Sequence, residues 1–458
     1  MKSLLSRIKQ VLIQSVEQSA MLNHQLVRSL KTYRYPQATH ENLQQKAKNS
    51  IHLLERCLTE NIAQFWLANG IDDRDGGYRI NLDQTGKPSK VNRKGLVTQA
   101  RMLWLFSRLS RSRYAQPSYI EAAHHGFEFF SLNLWDHNYQ GFVWEVDVTG
   151  SGSVRTDKHL YGQAFALYAL SEYFLATQSS EAIQYAKTLF NLLDKKAHDH
   201  QYGGYREHFD QQWQIPSAAT RPLLGADTSQ KTMNTHLHLL EAMTAYYRAT
   251  NCAIAQGRIF ELLNILTVAV SQGEAGACFD QFNLDWTLAE PHKKQLISYG
   301  HSIESIWLIL DAFQALNLSP YPFLSQMAKT FAYAMKYGYD WNGGGFYEAG
   351  YWNQVACKRD KIWWVQAEAM LGALYLYALT RSPKYLWVFN HLVNFIDRRL
   401  IDWEMGEWHN HITPAGAIAG MKADLWKAGY HNGRAVLLAL EILRDEYPIA
   451  GQSKFTDR

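Results

Sequence analysis

Cysteine is scarce in this chain. Its four cysteines, Cys57, Cys252, Cys278 and Cys357, lie far apart and form no CxxC pair. That spacing argues against a disulfide framework. The N-terminal stretch MKSLLSRIKQVLIQS interrupts its apolar residues with Arg7, Lys9 and Gln10, so a secretory leader is not expected. A reducing, cytoplasmic setting with free thiols is the expectation. Long apolar runs are also lacking: the longest nearly continuous one, Ala369 to Leu379, is too short to span a bilayer, and no membrane partner is expected. There is no strong excess of one charge either. The net charge is +4, and the densest basic stretch, Arg101 to Arg113, is interleaved with Leu, Trp and Phe at helical spacing. A nucleic-acid footprint needs a basic face, so no nucleic-acid partner is expected. HExxH, GxSxG and P-loop patterns are absent as well.

Hydrophobic residues make up 47% of the chain and charged residues 19%, enough apolar material for a sizeable core and too little net charge for disorder. Length leaves the number of domains open. The 15 tryptophans and 26 tyrosines are numerous. Rings with polar edges suit the alternating faces of a sugar, and they equally suit large helical cores.

The chain repeats. Short loops rich in Gly, Asp and aromatics recur as DRDGGYRI, DHNYQGFVWEV, DHQYGGYREHF, GACFDQF, DWNGGGFYEAG and DWEMGEWHN, marked by Gly77, Gly141, Gly204, Cys278, Gly345 and Gly406 and spaced roughly 60 to 75 residues apart. Each follows a segment with apolar residues at 3-to-4 spacing and a polar face, such as Ile51 to Trp66, Tyr119 to Leu134, Ala182 to Leu193 and Tyr385 to Leu400. Each precedes a more apolar helix: LVTQARMLWLFSRL, HLYGQAFALYALSEYF, MNTHLHLLEAMTAYY, YGHSIESIWLILDAF, WWVQAEAMLGALYLYAL and YHNGRAVLLALEIL. Six amphipathic helices alternating with six apolar ones describe an outer and an inner ring. The fold is predicted to be all-α, an (α/α)6 barrel with short β-hairpins where the inner helices begin. An open solenoid is the competing architecture. Residues 1–45 fall outside the repeats as a helical extension that Tyr35-Pro36 ends, and 46–458 form the barrel.

Polar side chains in the first turns of apolar helices are costly unless they line a wet cavity or pair with one another. Here each inner helix carries such groups: Gln99 and Arg101; Tyr161 and Gln163; Asn234, His236 and His238; His301 and Glu304; Gln366 and Glu368; His431, Asn432 and Arg434. One buried His or Glu is usually a satisfied core residue, but the aligned set argues for one pocket. Asn234 and His238, Trp364 and Glu368, and His301 and Glu304 each share a helix face, whereas His236 and His238 point apart, unlike the ligands of a metal site. The expectation is an acid–base site with no metal and no cofactor.

Four stretches resemble those of cellobiose 2-epimerases, within the N-acylglucosamine 2-epimerase superfamily: Lys231 to Ala242 (KTMNTHLHLLEA), Tyr299 to Glu304 (YGHSIE), Trp363 to Ala369 (WWVQAEA) and Tyr430 to Ala435 (YHNGRA). The match runs from about residue 50 to 445. The resemblance implies that His301 and His431 are the acid–base histidines. It assigns Arg101 to the charge at the substrate oxygens and His238 to a further active-site histidine. It places Tyr161, Asn234, Glu304, Trp364, Glu368 and Trp426 in the sugar site, with Trp364 and Trp426 stacking on rings. Glu241 is less securely placed.

Two features depart from that family: the 45-residue extension, and His409, where an aromatic ring is common. The implied partner is a small disaccharide, and the protein is expected to be a monomer or homodimer. Epimerisation at C2 needs an acid–base pair near neutrality, which histidine supplies, and a cation for the enediolate, which Arg101 supplies. The rivals are an aldose–ketose isomerase acting on mannose or a related monosaccharide, a glycoside hydrolase using Glu304 and Glu368, and an inactive sugar-binding protein.

Overall fold

A computed structural model describes residues 39–90, 93–217, 223–224, 227–271 and 276–447. Twelve α-helices lie among them. The odd-numbered ones are α1 (His40–Arg56), α3 (Pro117–Phe129), α5 (Ser180–Lys196), α7 (Ala253–Asn264), α9 (Leu324–Tyr337) and α11 (Pro383–Arg399). The even-numbered ones are α2 (Leu96–Ser110), α4 (Leu160–Thr177), α6 (Met233–Thr250), α8 (Tyr299–Ala315), α10 (Trp363–Thr380) and α12 (Tyr430–Glu446). The even helices pack each on the next, and α12 returns to α2. This is a closed ring and not an open solenoid.

The odd helices form the outer layer, α1 against α11 and α12 and the others each against the inner helix that precedes it. Their polar faces are solvent-exposed, whereas α4 and α10 are buried over almost all their length, as helices apolar on every side must be. The stretch Ala253–Val270, which is α7 and the widened turns after it, is the one among the described residues long and apolar enough to cross a membrane, and it packs on α6. The boundary expected at residue 45 falls within α1, and the rest of the extension, with Tyr35-Pro36, lies outside the described residues.

The repeated loops are tight turns at the end of the barrel where the inner helices begin. The short strand that leads into an inner helix pairs antiparallel with the hairpin of the following repeat, as in β1 (Lys158–His159) with β2 (His208–Phe209) and β3 (Gln230–Thr232) with β4 (Gln281–Asn283). An isolated bridge between Leu82 and Ala423 joins the first repeat to the last. Side chains tie each turn down. In five repeats a lysine, half-buried at Lys361 and buried in the other four, bonds the aspartate that opens the turn: Lys94–Asp72 at 2.8 Å, Lys158–Asp136 at 2.7 Å, Lys231–Asp199 at 2.8 Å, Lys361–Asp340 at 2.7 Å and Lys422–Asp402 at 2.8 Å. The other carboxylate oxygen accepts turn N–H groups, as Asp136 does from Asn138 and Tyr139. The fourth repeat has Ile297 at the lysine's place in the strand leading into α8 and lacks this pair.

Candidate active site

Helical phase sorts the polar groups of the inner helices into two sets. Those at the fourth residue of a helix do not line the pocket. Gln99 bonds both backbone groups of Tyr78, Gln163 those of Phe142, and Gln366 those of Phe346, while His236 Nε2 accepts from Tyr205 N–H. These four hold the hairpins, so the expectation that every aligned polar group converges on one pocket is corrected for them. The second and sixth residues, four apart and therefore on one face, point to the barrel axis. They include Tyr161, Asn234, Trp364 and His431 at the second position and Arg101, His238, Glu304 and Glu368 at the sixth.

Around the axis, His431 and His238 are each fixed by a carboxylate. His431 Nδ1 lies 2.7 Å from Glu368 Oε1, and His238 Nδ1 lies 3.0 Å from Glu241 Oε2. A carboxylate only accepts, so each ring donates from Nδ1 and keeps Nε2 as its basic nitrogen. Trp364 sits between two histidines, its ring centroid 4.7 Å from that of His301 and 5.5 Å from that of His431. His301 begins α8 beneath the Ser298 N-cap, whose hydroxyl accepts its N–H at 3.3 Å. Burial, with the His238 ring adding to it, holds His301 down at about 3. Burial and then the cations Arg101 and Arg434 hold His431 well below its ordinary value. Both are therefore neutral bases at neutral pH.

Arg101 donates to the Tyr161 hydroxyl at 3.0 Å and to the Trp426 carbonyl, and lies over the Phe165 ring at 4.5 Å. Its Nε is buried without a partner, as is Asn234 Oδ1. Trp426 stands at the rim, 41% exposed, 6.1 Å from the Tyr161 ring and 6.3 Å from Trp144. Every site residue expected from sequence is thus at this end of the barrel.

Beneath the histidines lies a layer that sequence reading undervalued. Arg434 is fully buried and bonds three glutamates: Glu241, Glu304 at 2.8 Å and Glu368 at 2.8 Å. Glu368 also accepts from Trp307 Nε1 at 2.8 Å, and Glu241 from the Tyr430 hydroxyl at 2.6 Å. One cation cannot neutralise three acids. Burial and the neighbouring Glu368 carboxylate push Glu304 well above the ordinary range. Burial works against the charge of Glu241 as well, but Arg434, His238 and Tyr430 hold it below that range. Glu304, Glu368 and His431 each place a donor atom within 4.8 Å of the others, the spacing of a small cation site. The cation that bonds both carboxylates is the Arg434 guanidinium.

The fold is an (α/α)6 barrel whose pocket gathers histidines backed by carboxylates, and the comparisons make the chain an isomerase. The chain belongs to the N-acylglucosamine 2-epimerase (GlcNAc 2-epimerase) family, whose model matches residues 76–435. It is 31% identical over 397 residues, 84% of this chain and 96% of the relative, to a cellobiose 2-epimerase of Dictyoglomus turgidum. It is 25% identical over 387 residues, 81% of this chain and 92% of the relative, to a D-mannose isomerase of Marinomonas mediterranea. The solved structure of a cellobiose 2-epimerase from Spirochaeta thermophila matches with a TM-score of 0.80 at 33% identity, covering 88% of this chain and 99% of that one.

Proposed function

We propose that this protein interconverts the C2 configuration of the reducing-end glucose or mannose unit of β-1,4-linked disaccharides such as cellobiose, mannobiose and lactose. The observation that carries the reading is the flanking of Trp364 by His301 and His431, with Arg101 held nearby by Tyr161. The sugar ring opens to the aldehyde. One of the two imidazoles takes the weakly acidic C2 proton, and the C2–H electron pair moves into a cis-enediolate whose oxygen charge Arg101 stabilises. The negative charge of the enediolate raises the proton affinity of the other imidazole, neutral in the free site, which takes a proton from solvent and delivers it to the opposite face of C2. The first returns its proton to solvent, so the enzyme ends unchanged and the sugar is inverted at one carbon. His238 serves ring opening or holds the O1 end.

The D-mannose isomerase relative supports a second reading, in which the same enediolate is protonated at C1 and yields a ketose. A two-carboxylate hydrolase is not supported, because Glu304 and Glu368 both bond Arg434 and Glu368 also carries His431 and Trp307. The test is NMR product analysis with cellobiose, mannobiose, lactose and mannose. Epimeric disaccharides as the main products uphold the proposal. Ketose as the main product selects the second reading, and released monosaccharide overturns both.

A further inference from the structure

The second glycine of the repeated turn is required in four repeats. Gly77, Gly141, Gly204 and Gly345 have φ of +64°, +73°, +72° and +77°. A Cβ there would come within 2.7 Å of Gln99, 2.5 Å of Trp213, 2.6 Å of Trp286 and 2.8 Å of Phe395, respectively. The sixth repeat breaks the rule, since its equivalent residue is Glu407, held at φ +60°. A non-glycine residue in this region is strained and persists where its surroundings fix it.

The Glu407 side chain is fully buried. Its Oε1 accepts from Lys427 Nζ at 2.7 Å, a pair with both partners 0% exposed, and from Asn432 Nδ2 at 2.7 Å; its Oε2 accepts from Trp66 Nε1 at 2.6 Å. Desolvating two charges is unfavourable, so a buried pair is weak evidence for stability. Two unfavourable features therefore coincide at one residue, and what they hold is the loop that carries Trp426. Lys427 also donates to Lys422 O at 3.0 Å. Asp424 Oδ1 accepts from the backbone N–H of both Trp426 and Lys427 at 2.7 Å. Thr98 Oγ1 donates to Leu425 O at 2.9 Å, and Arg101 donates to Trp426 O.

We infer that Glu407 and Lys427 are positioning residues for sugar binding. They anchor the 420–429 loop from below, so that a partly exposed indole is presented at a fixed place over the pocket. The inference rests on the reading of Trp426 as part of the sugar site.

The test is the double variant Glu407→Gln with Lys427→Met, which removes both charges while leaving an acceptor for Trp66. It is expected to unfold within about 5 °C of wild type, as replacement of a buried pair by neutral groups is often tolerated. Its KM for the disaccharide is expected to rise at least tenfold, with kcat at saturating sugar changed less than threefold. A wild-type KM in the folded double variant overturns the proposal, as does a fall in kcat with KM unchanged. Should the double variant fail to fold, Asp424→Ala loosens the same loop from a half-buried position and is expected to raise KM in the same way; an unchanged KM there overturns the inference. Absence of turnover by the wild-type protein, in contrast, counts against the proposed function and is read separately.

Discussion

His431 donates its Nδ1 proton to Glu368, 2.7 Å away, and Glu368 in turn accepts from Arg434 and Trp307. With three donors aimed at it, the Glu368 carboxylate serves as acceptor, and that fixes which nitrogen of His431 faces the substrate. Glu368→Gln retains the shape and loses the charge. The variant is expected to lose roughly 10²-fold or more in kcat, the scale of general acid–base catalysis, with little change in KM. Steady-state kinetics with cellobiose check it, and a wild-type kcat would show that Glu368 does not act through His431.

Acid is expected to destabilise the fold through its neutral histidines. Burial holds His159, His236 and His301 at about 3. Their folded values lie below the unfolded one near 6.5. The unfolded chain therefore binds more protons between these limits, and the stability they contribute is present above about 6.5 and lost as pH falls toward about 3. Glu207 acts in the opposite sense, because burial raises it to about 8. Its contribution is complete below the unfolded carboxylate value and lost as pH rises through about 8. Calorimetry across this range should show Tm falling on the acid side, and Glu207→Gln should gain on wild type as pH rises from 5 to 8. A Tm independent of pH would contradict both.

The buried lysines of the turns are expected to matter for stability and not for chemistry. Lys158→Met leaves Asp136 buried without its cation and should cost about 3 to 5 kcal/mol. Adding Asp136→Asn should recover much of that loss. Urea unfolding of the two variants decides, and equal stability of the single variant and wild type would show the pair to be idle.

The ring of helices was legible because six inner segments carry almost no charge and six outer ones carry a polar face. The charged and aromatic site residues stood out for the same reason: Arg101, His238, His301 and His431 interrupt apolar helices. What could not be read was the division of labour within a first turn. Gln99 and Arg101 are two residues apart, and which of them grips a hairpin and which reaches the axis depends on helical phase within a closed ring. The Arg434 hub was equally hidden, because it joins Glu241, Glu304 and Glu368 from three helices widely separated in sequence. Glu407 did leave a trace, a side chain where four other turns have a glycine, but its partner Lys427 is fixed only by the fold.

The central claim is that His301 and His431 exchange the C2 proton of one sugar. Incubating wild type, His301→Ala and His431→Ala with cellobiose in heavy water and locating deuterium by NMR tests it. The account predicts deuterium at C2 of a mannose-configured reducing end with wild type and none with either variant. Deuterium appearing at C2 at the wild-type rate in both variants would contradict it.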